Sequence, residues 1–153
     1  MKITKDTEKC EKQHFIYLRG KAKMKQEIAK NQYYEIYVDQ IKNRIYYSLF
    51  GFWQSVDLVP NNIEDLATAI SKLKPGFDFL TDLRTMKPPP EELAKHHMNA
   101  QKLARDKGLS RIAEVYDQKV VKFMAERYAR ESKANTKAFA SVSEAEAWLD
   151  SSK

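Results

Sequence analysis

The stretch TDLRTMKPPPEEL, residues 81–93, decides how this chain is read. An apolar segment runs into Lys87, Pro88, Pro89 and Pro90, and then Glu91 and Glu92 open an amphipathic segment. Proline fixes φ and carries no backbone N–H, yet it is well tolerated in the first turn of a helix, where that N–H has no partner anyway. Three in a row favour extended polyproline geometry. The stretch therefore reads as a strand ending, a stiff connection and a helix beginning. Just upstream, FDFLTDL (77–83) places Phe77, Phe79, Thr81 and Leu83 on one face of a strand and Leu80 on the other. Downstream, Leu93, His97, Ala100 and Ala104 line one face of a helix from Glu91 to Lys107, with His96 and Leu103 beside it, and Gly108 stops it.

Working outward from this crossover, the same logic repeats. Before it, Ile63, Leu66, Ala67, Ile70 and Leu73 form one apolar stripe of a helix capped by Asn61 or Asn62, and Gly76 supplies a left-handed stop. Before that, YYEIYVD (33–39) alternates, with Tyr34, Ile36 and Val38 on one face. QIKN turns, and RIYYSLFGFW (44–53) returns as the second arm of a hairpin. After the crossover come a strand SRIAEVY (110–116) and a helix in DQKVVKFMAERYARES (117–132) with Val120, Met124 and Tyr128 in line. Then follow a strand TKAFASV (136–142) and a short helix carrying Trp148 and Leu149, for which Ser143 and Glu146 form a capping box. The predicted order is β-β-α-β-α-β-α-β-α, an α/β domain with a mostly parallel sheet and an N-terminal hairpin that adds one antiparallel edge.

Size and charge bound the rest. The chain has 153 residues, 42% hydrophobic and 31% charged, which suits one globular domain with its own core. We divide it into a basic N-terminal extension, residues 1–32, and an α/β domain, residues 33–153. Of the net +6, the extension holds nine Lys/Arg against four Asp/Glu, so the remaining body is close to neutral. A nucleic-acid-binding body would carry its own basic face, so nucleic acid is not the expected partner. Lys21, Lys23, Lys25 and Lys30 could give the arm weak contact with an anionic membrane surface. Within the arm, HFIYL (14–18) reads as a short strand or a tucked apolar patch and KAKMKQEIAKN (21–31) as a helix. Met24 is a second candidate for the first translated residue. The N-terminus has no apolar core of a signal peptide. The single Cys10 allows no internal disulfide, and both features make a cytoplasmic location the expectation.

The segments YYEIYVDQIKNRIYYSLFGFW, ISKLKPGFDFLTDLR, KGLSRIAEVYD and FASVSEAEAWL follow one another in an order that resembles the SpoIIAA-like, or STAS-like, superfamily of small domains related to bacterial anti-sigma-factor antagonists. The resemblance spans about residues 33–150 and rests on element order, the aspartate ending the central strand and the terminal EAWL helix. It implies a non-enzymatic regulatory module that binds another protein. In antagonist members a serine at the start of the helix after a D-L-S strand end is phosphorylated. Here Asp82 and Leu83 match, but Arg84 takes the third place, the phosphoserine position falls near Glu91, and no serine lies between Ser71 and Ser110. The family switch is therefore not expected, although Glu91 resembles a permanent phosphate mimic and Thr85 remains as a hydroxyl in the loop.

The candidate partner surface is the segment after the central strand: Asp82, Arg84, Thr85, Lys87, Pro88, Glu91 and Glu92. Ligands of α/β domains gather at the C-terminal ends of parallel strands, and a stiff loop presents a fixed surface there, with Arg84 and Lys87 available to an anion. A stiff turn alone also accounts for the prolines. A second reading is a carrier of a small apolar or lipid-like ligand, with Phe50, Phe52 and Trp53 lining a pocket at the sheet end, although most such aromatics pack in cores. His96 and His97 are adjacent, about 100° apart on a helix, so they do not share a metal ion, and His97 reads as a packing residue. Asp78 and Asp82 share a strand face, but no nucleophile with a base and no glycine-rich phosphate loop accompanies them. Glu114, mid-strand, implies an edge strand or a buried partner. We expect no catalytic residue, no metal and no cofactor. Self-association into a homodimer is the simplest protein contact.

Overall fold

The alternating segments YEIYVD and RIYYSLFG form β2 (Tyr34–Asp39) and β3 (Arg44–Gly51), paired antiparallel from Tyr34 opposite Leu49 to Asp39 opposite Arg44. The turn between them is tied by Asp39, whose Oδ1 accepts the N–H groups of Ile41 and Lys42, each at 3.0 Å. It closes through Asn43 at φ 56°, a left-handed conformation that asparagine tolerates. This computed structural model describes residues 25–131 and 135–151. The expected strand or patch at 14–18 and the arm lysines Lys21 and Lys23 lie outside them.

The described part of the segment read as a helix at 21–31 is extended. β1 (Gln26–Lys30) pairs antiparallel with β2, with a bulge between Glu27 and Ala29. Asn31 makes the link: its Oδ1 accepts from the N–H of Tyr33 at 2.8 Å and of Tyr34 at 3.0 Å, an Asx-type turn that reverses the chain. Pairing along β2 overrides the helix propensity of a lysine- and alanine-rich segment. The sheet thus begins inside the stretch 1–32, and its antiparallel part has three strands rather than two.

From β3 onward the strands run parallel. The chain continues through a 3-10 turn (Val56–Leu58), α1 (Asn62–Ser71), β4 (Asp78–Met86), α2 (Glu91–Asp106), β5 (Arg111–Val115), α3 (Gln118–Glu131), β6 (Thr136–Phe139) and α4 (Val142–Asp150). The strand order is β1-β2-β3-β4-β5-β6, with β3–β4, β4–β5 and β5–β6 parallel. This is the α/β architecture read from the sequence, with β1 added. β4 runs three residues beyond the predicted end at Leu83, because Thr85 pairs with Phe50 and Met86 with Gly51.

α1 and α2 cover one face of the sheet. Tyr34, Ile36, Val38, Ile45, Tyr47, Leu49, Phe77 and Phe79 pack there against Leu66, Ile70, Leu93 and Ala104. The opposite face carries a smaller core in which Leu80, Ala113, Val115 and Phe139 meet Ala145 and Leu149 of α4. α1 starts without a side-chain cap: Asn62 is buried, and its side chain reaches into the core instead. α4 is capped by Ser141, whose hydroxyl accepts from the Glu144 N–H at 3.2 Å, so the capping box predicted at Ser143 sits two residues late. On α3 the half-buried stripe is Val121, Met124 and Tyr128, while Val120 points outward and Phe123 is 58% exposed. Glu114 is buried mid-strand, and its carboxylate accepts from the hydroxyls of Tyr116 and Tyr128, which ties α3 to β5. The connections after α1 and α2 interlock. The Gly76 N–H donates to the Gly108 carbonyl at 2.7 Å, and Gly108, at φ 102°, lies so close to Pro75 that a Cβ would sit 2.8 Å from it.

Candidate interaction surface at the ends of the parallel strands

β3 and β4 end together, and that shared end positions the candidate residues. Past Met86 the two chains part, with the Lys87 N–H still donating to the Gly51 carbonyl at 2.8 Å. Gly51 adopts φ 69°, and this turn throws Phe52 outward, where it is 45% exposed. The next residue, Trp53, goes the other way and is fully buried. Its Nε1–H donates to the carbonyls of Tyr33 (3.2 Å) and Phe50 (3.1 Å). Its ring lies 5.9 Å from that of Tyr34 and 5.4 Å from that of His97. Of the three aromatics set at the sheet end, Phe52 is exposed, Phe50 half-buried and Trp53 a core residue.

The proline segment then carries the chain over to α2. Pro90 occupies the N-cap with extended dihedrals (φ −67°, ψ 164°), and its carbonyl accepts from the Leu93 N–H at 3.0 Å. Leu93 is buried and anchors the helix start, while Lys87, Pro88, Pro89, Glu91 and Glu92 remain exposed. Glu91 and Glu92 stand in the first turn, where carboxylates complement the positive end of the helix dipole.

The other candidates lie on β4 itself. Thr85 is exposed in the strand, not in the loop. Arg84 is held by its neighbour: Asp82 accepts from its Nε at 3.0 Å and from its Nη2 at 2.7 Å, and also from the Arg84 backbone N–H at 3.1 Å. This bidentate pair occupies the fork that an anion would need. Lys87 makes no ion pair among the described residues, which leaves it as the cation of this edge.

Behind the surface lies a polar seam that the sequence pattern does not reveal. His96 Nε2 is 2.8 Å from Oδ1 of Asn62, whose Nδ2 donates to the Tyr47 hydroxyl at 2.9 Å. His97 stacks at a tilt on Trp53, as a packing residue. Burial lowers the pKa of both, that of His97 to about 4, with the neighbouring His96 adding to it. Both histidines are therefore neutral in the folded protein near pH 7. In the unfolded chain they take up protons near pH 6.5. Stability is thus fully present above about pH 6.5 and falls as the pH drops from there towards 4, by roughly 2–3 kcal/mol for His97. We expect the urea midpoint to fall between pH 7.5 and pH 5, and His97→Leu to flatten that dependence. An unchanged slope in the variant would remove His97 as its source.

Asp78 is not an acid–base partner of Asp82. It is fully buried and faces Arg44 and Arg111, with Arg44 Nη2 at 3.4 Å. No group of three metal-ligating side chains occurs among the described residues. No described helix is long and apolar enough to cross a membrane.

No family model matches the sequence, and no curated protein sequence matches it either. Solved structures do match. An uncharacterised protein of the DUF3478 family from Shewanella loihica, with a SpoIIAA-like fold, aligns with a TM-score of 0.58 at 14% identity, over 79% of this chain and 97% of that one. Apo-SiaC from Pseudomonas aeruginosa aligns with a TM-score of 0.49 at 15% identity, over 76% and 98%. The fold of this chain is therefore SpoIIAA-like: an α/β domain whose sheet opens with three antiparallel strands and continues parallel.

Proposed function

We propose that this is a regulatory domain that works by binding another protein, and that the contact surface is the shared end of β3 and β4. The observation that carries the proposal is the juxtaposition there of an exposed aromatic ring, Phe52, with Lys87 and the rigid proline segment that enters α2. An exposed aromatic beside an uncommitted cation on stiff backbone is what a protein contact uses, because little side-chain or loop entropy is lost on binding. Glu91 holds a permanent negative charge at the start of α2, and on this reading the surface is fixed in one binding state rather than switched by phosphorylation. The carrier reading has less behind it, because Trp53 is sealed in the core and offers no face to a ligand.

The test is enrichment of binding proteins from cells that make the protein. Wild type, Lys87→Glu, Glu91→Lys and Phe52→Ser would be compared with a control at the opposite end of β4, the exposed Lys74→Glu. We expect a protein that wild type and the control retain and that all three surface variants lose, at unchanged thermal stability. Equal retention by all five proteins sinks the proposal. A monomer-to-dimer shift that follows the same variants would identify the partner as a second copy.

A further inference from the structure

Among the described residues, α4 packs on the second face of the sheet over β4 to β6 and reaches β3 through Arg44 and Tyr46, and no described helix lies over β1 and β2 on that face. A groove of about 390 Å³ lies there. Tyr37, Tyr46, Ser48 and Leu80 form its floor, Val142 at the start of α4 forms one wall, and Lys25 leans over it. Tyr37 and Tyr46 are direct cross-strand partners, which sets both side chains on this face of the sheet. Glu27 is the cross-strand partner of Tyr37 on the other side and accepts a hydrogen bond from its hydroxyl at 3.3 Å. Glu35 and Glu27 both raise the Tyr37 pKa, after burial, so two carboxylates bear on this ring. Asp82, at the far end, is taken by Arg84, and Lys30 lies across the strands from Glu35.

The occupant is indicated by what already sits there. The ammonium of Lys25 stands 3.9 Å from the centroid of the Tyr46 ring, in cation–π geometry. Lys25 belongs to no strand. It immediately precedes β1, so the group in the groove is a lysine side chain delivered by a stretch of polypeptide. The Tyr46 hydroxyl is turned away to donate to Glu146 at 2.5 Å, which fixes the ring with its face presented to the groove.

We propose that this groove receives a lysine side chain presented by a partner polypeptide, and that Lys25 is its built-in competitor. The Tyr46 ring supplies the π face, Glu27 on the neighbouring strand adds negative charge beside the Tyr37 end of the groove, and a residue outside the sheet holds the place until a better-anchored lysine displaces it. This site is independent of the surface at the end of β3 and β4, so either can fail without the other.

The probe is the peptide acetyl-Gly-Lys-Gly-amide, titrated into the full chain while the Tyr37 and Tyr46 ring resonances are followed by NMR. We expect saturable shifts of both rings, and none with the norleucine analogue, which keeps the stem and lacks the charge. Lys25→Ala should tighten binding roughly threefold or more, because the competent fraction rises when the internal occupant is removed. Lys119→Ala, remote from the groove, should change nothing, and Glu27→Gln should weaken binding. Tyr46→Leu should abolish it. Because that change also removes the bond to Glu146, the Glu27 and Lys25 variants carry the test if the leucine variant unfolds. Equal shifts from the norleucine peptide, or an unchanged affinity in Lys25→Ala, would overturn the proposal.

Discussion

Replacing Arg44 by alanine is expected to cost about 3–5 kcal/mol of stability, the scale on which removing one partner of a buried ion pair acts. Arg44 is 2% exposed and lies at the centre of a charged cluster. Its Nη1 donates to Glu146 Oε1 and to Asp150 Oδ1, both at 2.8 Å, and its Nη2 faces Asp78 at 3.4 Å. Lys42 joins from the hairpin turn, 2.8 Å from Glu146. Hydrogen bonding to Arg44 holds the Asp150 pKa down. The Glu146 pKa is also low, because bonds from Lys42 and Tyr46 outweigh its burial. Glu146 and Asp150 can be rehydrated when Arg44 is lost, whereas Asp78 is fully buried and loses a cationic neighbour while keeping Arg111 beside it, which is the main cost. Urea unfolding of Arg44→Ala, Asp78→Asn and the double variant provides the check. The double variant should be more stable than the two single losses predict, because it removes the carboxylate and the guanidinium that faced each other together. A loss below about 1 kcal/mol in Arg44→Ala would show that water reaches the cluster.

Trp53→Ala should be comparably severe, about 3–5 kcal/mol, from the void left by the largest fully buried side chain and the loss of two hydrogen bonds. The ring fills the gap between Tyr34 of β2 and the two histidines of α2, so its removal unseats the start of α2 together with the proline segment that leads into it. Hydrogen exchange should therefore rise first at Leu93 to Ala100, before the β2–β3 ladder. Trp53→Phe should recover much of the packing and little of the hydrogen bonding. Uniform exchange across the molecule in Trp53→Ala would mean that the ring supports the whole core rather than this corner.

The crossover at 81–93 was legible because each signal in it is local: proline cannot continue a strand ladder, and two glutamates suit a helix start. The α2 bounds follow from that to within a residue. The hairpin is equally local, since alternation and the turn residues lie in one segment. β1 is different. Its sequence favours helix, and it is a strand only because β2 offers an unpaired edge and Asn31 turns the chain back. The extra length of β4 likewise depends on Phe50 and Gly51 of another strand. At the site, the exposure of Lys87, Glu91 and Glu92 could be anticipated from charge, and the start of the helix from the prolines. The opposite fates of Phe52 and Trp53 could not, because the left-handed turn at Gly51 decides them and two adjacent aromatics look alike in sequence. The Arg84–Asp82 pair spans only two positions and was open to reading, since alternate residues on a strand share a face. The Asn62–His96 contact joins residues 34 apart and left no local trace.

The order of strands in the sheet is also their order along the chain, and this bears on how the molecule forms. Each strand docks beside the one synthesised just before it, so every step closes a short loop, which favours rapid folding by sequential addition. The hairpin is the natural seed, and each helix–strand unit extends the template. Arg44 stands outside this economy of distance. Its carboxylate partners Glu146 and Asp150 follow it by 102 and 106 residues, on α4. The guanidinium set in place by the seed thus waits for α4 to close over it, and its pairing reports that this helix has docked on the strands formed before it.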